Sequence, residues 1–560
     1  MMLRWVGAAA IGATLAAAQC SPFSSDKDEP RPGADPATVD VDPPLVPANK
    51  VDLLIVAANH ASMRDKQASL ADNVKSFVER LQAVGDVHVG VLSGSLGTAT
   101  GALCPDGGDL NHQAHLQTRG VSAPPSDGVF KSGAGLSNDV RLAIRGLGQT
   151  GCAYNKPLEA AYRFLVQPDP RFGVTVDPAS KRAAFTGVDN VVLAQRKAFL
   201  RPDSLLIVVV VSDREDASID PVSALGLGWA YEEAEFPGST VMRSDGRTST
   251  APRGTSVCAV NPADPACVSC AVAATCDPSG PACAAVKADP NCQNGGYFGP
   301  TDDSLNTRFF NRKQRFGVDP LYPVARYVAG LTAARVPKHG TDHDDASLYV
   351  STPTCTNPVF AASLPGSDRE ELCNLPRGPR ARGLVLFATI GGAPPALVTG
   401  APQWTALLGE KPEAYDFRGM DPHMEPSVVP RPFLPRPSAT KGDNGSDPVH
   451  GREYDTQLDD MQYACTFVSY LRPVSCTTPD CDCPPASRGG DKKNPPLCDA
   501  SADPNVGLQI REKAYPTHRA FRVARDLGDR AVAGTVCGTP FVAADTLRAL
   551  EAKLEGRVVQ

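Results

Sequence analysis

The chain reads as an α/β protein: a three-layer, doubly wound, mostly parallel sheet with helices on its faces and long disulfide-rich loop insertions. Two continuous apolar runs, Val51 to Ala57 and Leu205 to Val211, have the length and composition of strands buried on both faces. Between Val51 and Leu92 a strand, an amphipathic helix and a second strand follow one another with short joints, which is the pattern of a βαβ unit. Gly (49) and Pro (52) make up nearly one residue in five of the 560, which argues against a coiled coil or long helical array and for many loops around the core.

In chain order, Val51 to Ala57 is the first predicted strand. Gln67 to Val84 follows as a helix, with Leu70, Val74, Phe77, Val78 and Leu81 at helical spacing. Asp86 to Leu92 is the next strand, and an irregular excursion covers Gly94 to Lys131. Helices are predicted over Leu136 to Gly146 and from Pro157, a residue suited to a first helical position, with Leu158, Ala161, Phe164 and Leu165 on one face. Leu205 to Val211 is the clearest buried strand. A Cys-rich insertion at about 250–300 comes next, then a helical stretch over Pro320 to Ala334 and a strand over Leu384 to Ile390. A Pro- and Cys-rich insertion spans about 421–514, and Phe541 to Leu554 closes the chain as an amphipathic helix. No fixed-period repeat marks a solenoid or propeller, and 51–560 is expected to be one domain with two insertions.

Ahead of that domain, Arg4 and the apolar stretch Val6 to Ala18 read as a signal peptide over 1–19, too short to span a bilayer. Ala16-Ala17-Ala18 suits an ordinary signal peptidase. Cleavage before Cys20 instead resembles a bacterial lipoprotein signal, with Gln19 departing from that pattern. The count of 17 Cys favours lipidation, because removing Cys20 leaves an even set that can pair. Residues 20–50, rich in Pro, Asp and Ser, then form a disordered tether. The expected location is the bacterial cell envelope, held to the membrane through a lipid anchor, or a secreted form if Cys20 is unmodified. A formal charge of −7 with no basic excess argues against nucleic-acid binding.

Export decides how the cysteines are read. Cys258, Cys267, Cys270, Cys276, Cys283 and Cys292 crowd one segment; Cys476, Cys481, Cys483 and Cys498 crowd another. Cys267 and Cys270 have a zinc-ligand spacing, but no second pair follows at ribbon spacing, and an oxidising compartment favours disulfides. Cys104 with Cys152, Cys355 with Cys373 and Cys465 with Cys537 are guessed pairs that complete an even set.

Ligands of open α/β sheets bind outside the carboxyl ends of the strands, which points to Ala57 to Met63 and to Ser212 to Asp216. The stretch Val51 through Ala58-Asn59-His60-Ala61-Ser62-Met63 resembles the opening of a von Willebrand factor type A domain, where a strand ends in an Asp-x-Ser-x-Ser loop. The strand leading to Ser212-Asp213 resembles that family's later strand with a metal-facing Asp, and Gly151 to Ala160 is similar to the middle loop and helix of secreted bacterial members. The resemblance implies adhesion through a Mg²⁺ held by hydroxyl and carboxylate oxygens with one open position.

Against that pattern Ala58 stands for the first Asp and His60 for the first Ser. Ser62 and Asp213 match, Thr150 lies near the middle-loop position, and Asn155 offers a neutral oxygen. The expectation is therefore a degenerate metal site, with His60, Ser62, Thr150 and Asp213 as binding-loop residues, no metal ligand assigned and no cofactor. His60 has two readings: a hydrogen-bonded loop histidine, or an imidazolium that fills the vacant cation place beside Asp213 and pairs more strongly as pH falls into the histidine range. Zn²⁺ at His60 and Asp213 has too few ligands.

Neither a Gly-x-Ser-x-Gly elbow, a Walker loop nor a His-Glu-x-x-His pair occurs. His112 and His115 read as a solvated loop, Thr341-Asp342-His343-Asp344-Asp345 as an acidic turn rather than a Ca²⁺ loop, and Glu232, Glu233 and Glu235 lack a supporting partner. The function expected is non-enzymatic binding of a protein or envelope ligand at the carboxyl edge of the sheet. The alternative is an envelope hydrolase whose active site is built from the inserted loops, which would need His, Asp and Glu side chains converging in a deep pocket.

Overall fold

Continuous apolar runs pair with one another because only a sheet covered on both faces removes all their side chains from water. In the computed structural model six strands do so: β1 (Lys50–Ala57), β2 (Asp86–Ser93), β3 (Phe130–Lys131), β4 (Leu205–Val211), β5 (Val385–Gly391) and β6 (Ala531–Thr535). Their order is β3-β2-β1-β4-β5-β6, and every pairing is parallel except that of β3 with β2. The structure describes residues 41–104, 110–244, 246–271, 280–344, 347–468, 470–471, 473–476, 481–485, 493–499, 507–538 and 542–559.

Alternation along the strands splits the core in two. Leu53, Ile55, Ile207 and Val209 face one side, where α1 (Arg64–Val84), α2 (Leu136–Gly146) and the last helix, Val542–Ala552, contribute Phe77, Val140 and Leu547. Leu54, Val56, Leu206 and Val208 face the other, covered by α3 (Pro157–Leu165), α4 (Asn190–Phe199), α5 (Val324–Gly330) and α6 (Arg519–Leu527). The last helix is α7. The register Ala57↔Val211 brings the ends of β1 and β4 side by side at one rim.

Several elements differ from the sequence reading. The helix expected over Pro320 to Ala334 is confined to α5, because Pro323 takes the capping position and Gly330 closes the last turn. The helix α4, unforeseen, is fixed by the Asp189 carboxylate, which accepts from the backbone N–H of Val191 and Val192 at 3.0 and 3.2 Å. The strand β6 was missed for its short Ala/Gly composition. Its Gly534 allows close approach, since a Cβ there would lie 1.8 Å from Thr546 Oγ1 on α7.

The expected tether ends earlier than Val51. Asp42 accepts from the backbone N–H of Arg382 at 3.0 Å, and the buried Ala48 bridges in parallel to Val558. Backbone groups that find partners in this way are ordered rather than solvated. The signal segment, Cys20 and the earlier part of the tether lie outside the described residues. No helix among the described residues is long and apolar enough to cross a membrane.

Among the described residues seven disulfides link Cys104–Cys152, Cys258–Cys267, Cys270–Cys292, Cys355–Cys373, Cys465–Cys537, Cys476–Cys481 and Cys483–Cys498. The three guessed long-range pairs are among them. Cys267 and Cys270 belong to different bridges, which removes the zinc reading for that pair; Cys276 lies outside the described residues. So many disulfides place the chain in an oxidising, exported location.

The insertions carry small cores of their own. Trp229, Tyr231, Phe236 and Phe316 cluster between β4 and β5. Between β5 and β6, Cys465–Val468 pairs antiparallel with Arg511–Ala514; beside them Tyr454 stacks on Tyr463, which meets Tyr515 edge to face.

Candidate functional site

The site follows from where the two central strands stop. Beyond β1, Ala58 N–H donates to Val211 O at 2.9 Å, so the chain stays in register with β4 for one more residue. His60 is extended, and a short turn over Ala61–Met63 leads into α1. This places His60, Ser62 and, one helical turn on, Lys66 around a single point. Asp213, two residues past β4, projects into that point from the neighbouring strand. Its backbone carbonyl accepts from Tyr515 N–H at 2.8 Å, which ties the second insertion to the rim.

The Asp213 carboxylate is fully buried and saturated. His60 Nε2 meets Oδ1 at 2.7 Å, and Ser62 Oγ donates to Oδ2 at 2.7 Å. Lys66 Nζ lies 2.9 Å from the same Oδ2 and also donates to Ser62 O at 2.6 Å. Burial alone would push the carboxyl up. The Lys66 charge, then the His60 contact and the nearby Arg214, hold it well below the usual carboxylate range. For His60 burial dominates, followed by repulsion from Arg214, and together they push the imidazole down to about 4 against the opposing pull of Asp213. His60 is thus neutral at neutral pH, with Nε2–H donating to Asp213. Its bare Nδ1 faces Asn155 Nδ2 at 3.4 Å.

This corrects the imidazolium reading. His60 does sit beside Asp213, but the cation is Lys66, and the pairing does not await acid. Sequence reasoning passed over Lys66, although one signal was present: a Lys in the first turn of a helix opposes the macrodipole and calls for a local carboxylate. Glu512 adds to its surroundings at 3.6 Å, as does the Phe467 ring, 5.4 Å from Nζ to centroid.

The supporting loops are built for close approach. Gly151 N–H donates to Asn59 O at 2.9 Å, and a Cβ on Gly151 would come within 2.2 Å of the Asn59 side-chain oxygen. Ser95 Oγ donates to that oxygen at 2.7 Å and accepts from Cys152 N–H at 3.0 Å, beside the Cys104–Cys152 bridge. Thr150, next in line, is exposed on the wall of the cleft above the site and is not part of the Asp213 cluster. Ala58 is buried against the core.

Above the rim opens a cleft of about 1110 Å³, lined by His60, Ser62 and Thr150, by Tyr154 just ahead of α3, and by residues of both insertions, including Pro262, Tyr454 and Lys513. Aromatic and charged side chains both contribute to its lining, which suits it to holding a polar partner.

Other residues singled out in the sequence find separate partners. His112 Nδ1 meets Ser93 Oγ at 2.6 Å, while His115 Nε2 meets Asp189 at 2.9 Å, so the two do not converge. His343 is held between Asp220 and Asp342 at 2.7 and 2.8 Å. Burial opposes its charge, but the two carboxylates raise it to about 10, which makes it a half-buried imidazolium rather than part of a solvated turn; Asp345 lies outside the described residues. Glu232 pairs with Lys156 at 2.5 Å, Glu233 accepts from Thr100 N–H at 3.1 Å and Glu235 is exposed.

Fold and site together define an exported, disulfide-stapled α/β protein whose sheet edge is closed by internal charge beneath a broad cleft. No protein-family model matches the chain, and neither the curated proteins nor the solved structures include a similar one.

Proposed function

We propose that the protein is a non-enzymatic binding or adhesion protein of the cell envelope, built on a von Willebrand factor type A-like domain whose metal place has been taken over by Lys66. The strand order β3-β2-β1-β4-β5-β6 supports a doubly wound reading, in which ligands gather at the carboxyl ends of the strands. The observation that carries the proposal is the saturated Asp213 carboxylate, with Lys66 Nζ at 2.9 Å where a hard cation would otherwise be needed. A Mg²⁺ would have to displace an ammonium that already neutralises the only buried carboxylate of the motif, and Ala58 and His60 supply no replacement oxygen. The cleft then holds its partner, a protein or envelope ligand, by shape, aromatic contact and charge. A lipid on Cys20 would keep the protein at the membrane.

The hydrolase reading needs converging His, Asp and Glu groups on a deep pocket. Among the described residues, the one metal-compatible His/Asp group, His423, Asp447 and His450, is not on the wall of the cleft. That separation counts against metal-dependent hydrolysis in the cleft and so favours binding.

The test is capture from an envelope fraction by the wild type and by Ala61→Arg/Thr150→Arg, which fills the cleft from two exposed wall positions. Capture that ignores added Mg²⁺ and is lost in the double variant is expected. Mg²⁺-dependent capture, or capture indifferent to the blocked cleft, would count against the proposal.

A further inference from the structure

We infer that His423, Asp447 and His450, in the second insertion, form a binding site for one divalent transition ion of the zinc class. His423 belongs to a short turn, Pro422–Met424, that starts at Asp421, and Asp447 and His450 flank a second turn of the same insertion. Their ligand atoms all lie within 4.8 Å of one another. His423 Nε2 and His450 Nδ1 each stand 3.3 Å from Asp447 Oδ1. Ligands on a tetrahedral zinc with bonds of about 2.0–2.1 Å are separated by roughly 3.3 Å, so each of these two edges already has the length an ion would impose.

The unused nitrogens carry the inference. His423 Nε2 and His450 Nδ1 are buried without a hydrogen-bond partner, and the whole His450 side chain is shut off from solvent. A buried ring nitrogen without a partner is costly in a folded chain. The opposite nitrogen of each ring is engaged: His423 Nδ1 with Asp421 Oδ1 at 2.8 Å, and His450 Nε2 with Glu453 Oε1 at 2.7 Å. Carboxylates placed behind the rings fix the tautomers and turn both bare nitrogens inward, as they do behind metal-bound histidines. Glu453 is itself held by Arg431 at 2.7 Å. Asp447 Oδ1 accepts from the backbone N–H groups of Val449 and His450, at 2.7 and 3.1 Å, which points it at the rings.

Two imidazole nitrogens and one carboxylate oxygen suit a borderline ion such as Zn²⁺ and not Mg²⁺ or Ca²⁺, which prefer all-oxygen sets. The partial exposure of His423 and Asp447 leaves room for water as a fourth ligand. The ion would clamp a Pro-rich loop from which Met420 and Pro426 reach the wall of the cleft. It would act there as a staple where no disulfide is formed, and the inference stands whether or not the cleft binds a partner.

The test is calorimetric titration of chelator-stripped, untagged protein with Zn²⁺, repeated with Co²⁺ as a spectroscopic probe. One ion per chain, visible Co²⁺ bands of tetrahedral type and a rise in Tm are expected. His423→Gln and His450→Gln should each abolish all three, and Asp421→Asn should weaken binding about tenfold or more. His88→Gln, remote from the cluster, should leave them intact. Absence of Zn²⁺ binding in the wild type, or binding unchanged in His423→Gln and His450→Gln, would overturn the assignment. His423 is half-buried whereas His450 is fully buried, so the His423→Gln variant keeps the test decisive should His450→Gln fail to fold.

Discussion

Of the carboxylates that stand beside imidazole nitrogens, two invite comparison: Asp213 at the sheet edge and Asp447 in the second insertion. Asp213 is fully buried and receives an ammonium, a hydroxyl and an imidazole N–H, so its charge is balanced by the chain itself. Asp447 is half-buried, receives backbone N–H groups and faces two bare ring nitrogens. A similar pair of residue types is thus finished in opposite ways. Burial depth matters less than whether a cation is already covalently present: a lysine one turn away closes the first site, and the second has none within its cluster.

The comparison breaks most visibly on charge removal. Asp213→Asn would leave Lys66 buried without its close counter-ion and should cost about 3–5 kcal/mol in denaturant unfolding at neutral pH. Lys66→Met should cost a similar amount. In that variant the imidazole of His60 should titrate higher than about 4, because Lys66 no longer opposes its protonation, and NMR titration would reveal this. An unchanged midpoint would mean that the ammonium does not govern the site.

Next in size are the pH effects, which carry opposite signs at two histidines. His60 is lowered from 6.5 to about 4 in the folded chain. The unfolded chain therefore binds a proton between those values that the folded one refuses, and stability falls as pH drops through that window, by about 3 kcal/mol. His343 is raised from 6.5 to about 10. Its contribution is fully present below 6.5 and is lost as pH rises towards 10. His60→Gln should flatten the acid limb of the stability profile and His343→Gln the alkaline limb. An acid limb that keeps its slope in His60→Gln would assign it to other groups.

Smaller still is the expected cost of Asp447→Asn in metal-free protein, below about 1 kcal/mol, since the amide oxygen can still accept the two backbone bonds. The same change should erase the Zn²⁺-dependent gain in Tm. The least effect of all is expected from Mg²⁺, which should leave the melting curve of the wild type unmoved. A Mg²⁺-induced stabilisation that Asp213→Asn abolishes would show that Lys66 can be displaced.

Most of the sheet was legible because β1 and β4 are written as unbroken apolar runs, and a run of that length has no other economical way to avoid water. The strand β6, Ala531–Thr535, was hidden because Ala and Gly carry little pattern, and its position depends on α7 lying against Gly534. At the rim, His60, Ser62 and Asp213 could be placed together from the strand ends alone. Lys66 could not, since a charged residue on an amphipathic helix is usually read as solvated, and its burial depends on the strand Arg511–Ala514 packing over it. The His423 cluster was illegible for a different reason. Its members are spread along a Pro-rich segment without metal-motif spacing, and only turns fixed by Asp421 and Asp447 bring the rings face to face.

The bridge between Ala48 and Val558 has a consequence for how the molecule is presented. The chain enters at the foot of β1, next to its own far end, and the cleft opens at the head of the same strand. Eight residues of extended backbone hold the two poles roughly 25 Å apart. The mouth of the cleft is thus turned away from the pole where Ala48 and Val558 meet.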